Sequence, residues 1–130
     1  MALHNDFGHL GEDIAARYLV MHGYHIRERD WHCGHCDIDI IAERKGTLVM
    51  VEVKARHSDL YGQPEDAVDD EKKSHIITSA SAYLRMKQLD MPLRFDIICV
   101  LGTPPFLQVK HIRNAFDILS LPGQKPHKPR

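Results

Sequence analysis

The chain has 130 residues, 43% hydrophobic and 27% charged, which suits one soluble domain with a core of ordinary size. Lys and Arg number 17 against 18 Asp and Glu, a net charge of -1 with neutral His, which excludes a strongly basic nucleic-acid coat and a polyanionic tail. It leaves room for a nucleic-acid enzyme, because an acidic active site cancels a basic rim in the sum. No apolar run reaches the roughly 18 residues of a membrane helix, and the start Met1-Ala2-Leu3-His4-Asn5-Asp6 has no signal-peptide pattern. Cys33, Cys36 and Cys99, without a secretion signal, point to free thiols in a reducing compartment. The expectation is a cytoplasmic protein with no membrane partner.

Taken in chain order, Asp6 is placed to cap a first helix. Leu10, Ile14, Ala15, Tyr18, Leu19 and His22 recur there near helical spacing, and Gly23 closes it. Tyr24 to Cys33 reads as a strand; Asp37 to Arg44 and Thr47 to Ala55 are the strongest strand signals, joined by Lys45-Gly46. Arg56 to Pro64 reads as a polar loop. From Pro64 the chain is acidic first and then carries Ile76, Ile77, Ala80, Tyr83 and Leu84, a helix whose dipole is complemented. Arg94 to Leu101 reads as a buried strand, Gly102-Thr103-Pro104-Pro105 as a turn, and Phe106 to Ile112 as the last strand. The expected class is α/β: a mixed β-sheet flanked by helices, in the order α-β-β-β-α-β-β. Residues 1–121 form one domain on this reading, and 122–130, rich in Pro and Lys, a disordered tail.

The hairpin register is the most informative feature. With Lys45-Gly46 as a two-residue turn, residues whose numbers sum to 91 face each other, so Asp39 faces Glu52 and Asp37 faces Lys54. Alternation then puts these four side chains on one face and Ile38, Ile40, Ala42, Val49, Val51 and Val53 on the other. Opposed carboxylates repel unless a cation lies between them. An all-oxygen set selects Mg²⁺ or Mn²⁺ rather than Zn²⁺, and Lys54 in the same place can hold a scissile phosphate or orient the attacking water. The plainer alternative is an Asp37–Lys54 ion pair with Asp39 and Glu52 facing solvent.

Gly11-Glu12, Gly23-Tyr24, Asp37-Ile38-Asp39-Ile40-Ile41-Ala42, Val51-Glu52-Val53-Lys54-Ala55-Arg56, Gly62, Arg94-Phe95-Asp96 and Asn114-Ala115-Phe116 together resemble the YraN-like family of uncharacterised bacterial proteins. That family is similar to the PD-(D/E)XK nuclease superfamily and to archaeal Holliday-junction resolvases. The resemblance implies a restriction-endonuclease-like fold and places Asp39, Glu52 and Lys54 on the Asp…Glu-x-Lys signature, with Glu12 as a helix-borne acid. Where the family reads Gly-Glu-Ile-Asp, this chain reads Cys36-Asp37-Ile38-Asp39, which keeps a carboxylate at 37 but shortens it. On a helical wheel Glu12 lies at the edge of the apolar stripe, suited either to a sheet face or to solvent. The family's Lys falls on Lys72, although periodicity puts Lys73 nearer the stripe's centre; Lys72 is the expected phosphate or acid partner.

His32-Cys33-Gly34-His35-Cys36 has the look of half a zinc site or a redox pair. No second C-x-x-C or H-x₃-H accompanies it, so it reads as a turn between strands with unmetallated thiols. Arg27, Arg29 and Trp31 beside it are candidates for nucleic-acid contact.

The leading expectation is a metal-dependent nuclease acting on DNA, branched or damaged forms among its candidates. Asp39, Glu52 and the Val53 carbonyl would hold Mg²⁺ or Mn²⁺; Lys54 would position water and phosphate; Glu12 and Asp37 would support. The alternatives are a non-catalytic nucleic-acid-binding module of the same fold and, in a lower place, a zinc or thiol regulatory protein built on Cys33 and Cys36. The resolvase resemblance implies a homodimer, since cutting two strands symmetrically needs two sites.

Overall fold

The computed structural model describes residues 3–58, 62, 66 and 68–117. Helix α1 (Leu3–Met21) leads into strands β1 (His25–Cys33), β2 (Cys36–Arg44) and β3 (Thr47–Arg56). Helix α2 (Asp70–Lys87), β4 (Leu93–Thr103) and β5 (Phe106–Phe116) complete the order α-β-β-β-α-β-β. The five strands form one sheet in sequence order, antiparallel throughout except for the parallel β3–β4 pair, which α2 makes possible as the crossover. No helix among the described residues is long and apolar enough to cross a membrane.

Local chemistry sets the ends of these elements. Gly23, at φ +87, ends α1, its N–H donating to the Val20 carbonyl. Asp6 lies inside α1 rather than at its cap, because the helix already runs from Leu3. Asp69 caps α2, its Oδ1 accepting the Lys72 N–H at 2.8 Å, so the helix begins after the acids near Pro64 rather than with them. Pro64, Glu65 and the tail from Pro122 lie outside the described residues. Lys45 and Gly46 both have positive φ, the geometry of the tight turn that matches strand twist.

Both faces of the sheet are packed, not one. Towards α1, Ala15, Ala16 and Leu19 meet Ile40, Ala42, Val49, Val51, Ile98 and Val100. Towards α2, Ile76, Ala80 and Tyr83 meet Ile41, Leu48, Met50, Phe95 and Ile97. The expectation of one apolar and one charged face is therefore corrected: central strands sandwiched between two helices bury both their sides. Ile38 changes side as well, packing with Trp31 on the α2 face while Ile40 and Ala42 pack towards α1.

A separate polar knot ties β4 to β5. Asp96, wholly buried, accepts from Arg94 Nε and Nη2 at 2.9 and 2.8 Å, bonds His111 Nε2 at 2.7 Å and accepts from the Asn114 N–H at 3.0 Å. Burial alone would push its carboxyl up, but the bonds from His111, Arg94 and Asn114 outweigh this and hold it below the usual carboxylate range.

Candidate functional site

The ladder between β2 and β3 runs from Arg44↔Thr47 to Ile40↔Val51, in the register expected for the hairpin, and there it stops. Past that point the Val53 N–H donates to Asp39 Oδ2 at 2.9 Å. A side chain thus takes over from backbone pairing where the strands part, and Asp39 is held in the opening.

Strand β1 brings a second acid to the same place. Asp30 has φ +48, a left-handed conformation that Asp tolerates better than most residues. The kink interrupts alternation: Arg29 reaches α1 through Asp13, while Trp31 packs on the α2 face opposite Ile38. A third acid arrives on α1. A Cβ at Gly11 would lie 3.0 Å from the Ala55 Cβ, so the bare glycine lets α1 approach β3 closely and carries Glu12 to the sheet. One carboxylate oxygen each from Glu12, Asp30 and Asp39 lies within 4.8 Å of the others.

Glu52 joins them from β3. It is 6% exposed, in hydrogen-bond contact with Asp39, and its Oε2 is 3.7 Å from Lys72 Nζ on α2. Burial, the Asp39 hydrogen bond and the Asp39 charge push the Glu52 carboxyl up to about 8, against the opposing charges of Lys72 and Lys54. Burial, a hydrogen bond with Asp30 and the charges of Asp30 and Asp39 push Glu12 up to about 8, with Arg29 opposing. Glu12 Oε1 is buried and has no hydrogen-bond partner. Four carboxyls with two lysines at their edge form the acidic centre of the molecule.

The remaining candidates divide. Lys54 is half-buried and its charge bears on Glu52. Lys72 takes the acid, whereas Lys73 reaches Asp70 at 3.9 Å and lies over the Phe116 ring. Asp37 does not meet Lys54 in the ladder, which has ended by then; it bonds His75 Nε2 on α2 at 2.6 Å. Arg27 is held by Glu43 at 2.9 Å and by the Tyr83 hydroxyl at 3.2 Å, and Arg29 by Asp13 at 2.7 Å. Val53 enters through its N–H to Asp39.

Oxygen donors of this density suit a hard divalent cation, and the orphaned Glu12 Oε1 is a free ligand atom for one. Two residues of this neighbourhood were not singled out from the sequence, Asp30 and His75. Asp30 stands in the alternating run Arg27-Glu28-Arg29-Asp30, which reads as an ordinary charged strand, and no periodicity announces its left-handed backbone. His75 follows Lys72 by one helical turn, a spacing that puts both on one side of α2 and could have marked it.

A family model described as "Uncharacterised protein family UPF0102" matches residues 11–100, a span that includes Glu12, Asp30, Asp39, Glu52, Lys54 and Lys72. The chain is 49% identical over 116 residues to a UPF0102 protein of Phocaeicola vulgatus, covering 89% of this chain and 96% of the relative. A UPF0102 protein of Bacteroides thetaiotaomicron is 47% identical over the same shares. One from Porphyromonas gingivalis is 40% identical over 127 residues, 96% of this chain and 94% of the relative.

Proposed function

We propose, for a chain that belongs to the uncharacterised protein family UPF0102, a nuclease of the PD-(D/E)XK type that hydrolyses phosphodiester bonds in DNA in the cytoplasm. The supporting observation is the convergence of Glu12, Asp30, Asp39 and Glu52 on the opening between β2 and β3, with Lys54 and Lys72 at its edge. Like charges so close need protons or a cation to hold them.

Asp39, Glu52 and the Val53 carbonyl would hold Mg²⁺ or Mn²⁺, with Glu12 and Asp30 offering further oxygens beside Asp39. A bound divalent ion supplies positive charge to the phosphoryl oxygens and makes its water more acidic. Lys54 positions the attacking water and the scissile phosphate. The Lys72 charge opposes the rise of the Glu52 carboxyl and so favours the charged form that ligation needs. Asp37, tied to His75, steadies the start of β2 from α2. Arg27 and Arg29 bind phosphate in this reading by leaving Glu43 and Asp13, with half-exposed Arg29 the readier of the two. A homodimer provides the two sites that symmetric cutting of branched DNA requires.

The test is a panel of labelled linear, nicked, branched and damaged DNA, with RNA controls, incubated with Mn²⁺ and with wild-type or Glu52→Gln protein. Cleavage of at least one DNA form, reduced about a hundredfold or more in Glu52→Gln, is the expected result. Binding without cleavage would make the protein a non-catalytic module. Equal cleavage by both proteins would remove the acids from the chemistry.

A further inference from the structure

Cys33 and Cys36 stand directly opposite each other as the last pair of the β1–β2 ladder, with Gly34-His35 as the turn between them. Gly34 takes φ +61, as a tight two-residue hairpin turn demands. Both thiols are free and half-buried, packed against the α2-side core, while Cys99 is fully buried in β4. Opposed residues of an antiparallel pair have Cα atoms about 4.5–5.5 Å apart. Disulfides span Cα separations of roughly 4.4–6.8 Å, so the ladder already holds this pair at bonding range.

We propose that Cys33 and Cys36 form a redox site, closing to a reversible intramolecular disulfide when the protein meets a small-molecule disulfide. One cysteine thiolate attacks a sulfur of the reagent, forming a mixed disulfide and releasing one reagent thiolate. The opposing cysteine thiolate then attacks the protein sulfur of that mixed disulfide and expels the second reagent thiolate. The two protein thiols are oxidised to one S–S bond, the reagent S–S bond is reduced to two thiols, and the two cysteine protons end on those thiols. Because the partner is already in register, the second step is intramolecular and outruns capture by another reagent molecule.

A shared metal is a poorer use of the pair. Among the described residues, neither cysteine belongs to a group of three or more ligand side chains close enough to hold one ion. The crosslink has a structural consequence instead. The ladder continues through His32↔Asp37 and Trp31↔Ile38 to Arg29↔Ile40, with Asp30 and Asp39 between the last two pairs. Oxidation therefore pins the register of the hairpin on which those two acids sit. This holds whether or not the acids cleave DNA.

The experiment incubates the reduced full-length chain with oxidised glutathione under native conditions, then counts free thiols after unfolding and maps the linkage by mass. Free thiols are expected to fall from three to one per chain, with a Cys33–Cys36 linkage, a monomeric product two hydrogens lighter, and full recovery in dithiothreitol. Cys33→Ser and Cys36→Ser should each retain a glutathione adduct on the remaining cysteine. The oxidised wild type should melt higher than the reduced form. Stable glutathione adducts on the wild type, a disulfide between two chains, or three persisting thiols would each overturn the proposal. So would thiols that react only after Zn²⁺ is chelated away. The wild-type result decides even if a serine variant fails to fold.

Discussion

The Val53 N–H donates to Asp39 Oδ2 at 2.9 Å, so a carboxylate closes the β2–β3 ladder just where backbone pairing ends. Asp39 is at once a backbone acceptor and a charge facing Glu12 and Glu52. Two substitutions separate these duties. Asp39→Ala strands the Val53 N–H and is expected to cost about 1–3 kcal/mol. Asp39→Asn keeps an acceptor and removes the repulsion, so without metal it should melt no lower than wild type. Both should lose any stabilisation by Mn²⁺, as read in thermal melts with and without the ion. If Asp39→Asn melts markedly lower and binds DNA no differently, the acids are scaffold and the nuclease reading falls.

The raised carboxyls set a pH dependence of definite sign. Glu12 and Glu52 sit at about 8 in the folded protein against an ordinary 4.5, so between those values the native state holds protons that the unfolded chain releases. Unfolding free energy therefore falls as pH rises through that window; the contribution is complete below its lower end and lost above its upper end. Asp96 acts in the opposite sense, because its lowered carboxyl loses stability only in acid. With chelator present, the melting temperature is expected to decline from about pH 5.5 to about pH 8.5. The decline should flatten in Glu12→Gln/Glu52→Gln and be offset by Mn²⁺. A wild-type curve that is no steeper than the double variant's would contradict the assignment.

Lys72 and Lys73 are neighbours with different work. Lys72 Nζ lies 3.7 Å from Glu52 Oε2, while Lys73 is engaged by Asp70 and the Phe116 ring. Lys72→Ala removes a charge that holds the Glu52 carboxyl down, so that carboxyl should rise further. Mn²⁺ affinity near neutral pH should then drop, about tenfold for each unit of rise, and recover at higher pH. Lys72→Arg should retain most of it. Lys73→Ala should leave Mn²⁺ affinity unchanged, as measured by calorimetric titration at three pH values.

Asp96 offers a structural contrast to the acidic centre. Its carboxylate is saturated by Arg94, His111 and the Asn114 N–H and is wholly buried. Asp96→Ala leaves a half-buried guanidinium and a buried imidazole without their anion, which should cost about 3 kcal/mol, the low end for a broken buried pair. Urea unfolding should show the loss, and Mn²⁺ affinity per folded molecule should stay at the wild-type value.

The chain's own residues determined the element order and the hairpin register. A period of two in β2 and β3, a glycine at the turn and an acid-first helix act over a few residues, with no reference to distant contacts. That register aimed Asp39 at Glu52, although the ladder ends one pair short of them and the Val53 N–H holds Asp39 in place. Which side each acid approaches from was decided by the tertiary structure. Glu12 arrives on α1 because Gly11 lets that helix lie against Ala55, Glu52 turns to Lys72 on α2, and Asp39 stands between them. Asp30 joins only through a left-handed backbone, beyond which Trp31 packs with Ile38 in the α2-side core. Asp37 goes to His75 because the ladder ends before Lys54 can oppose it. Alternation is a local property of an extended chain, whereas a left-handed kink or the end of a ladder answers to two helices packing on opposite faces at once.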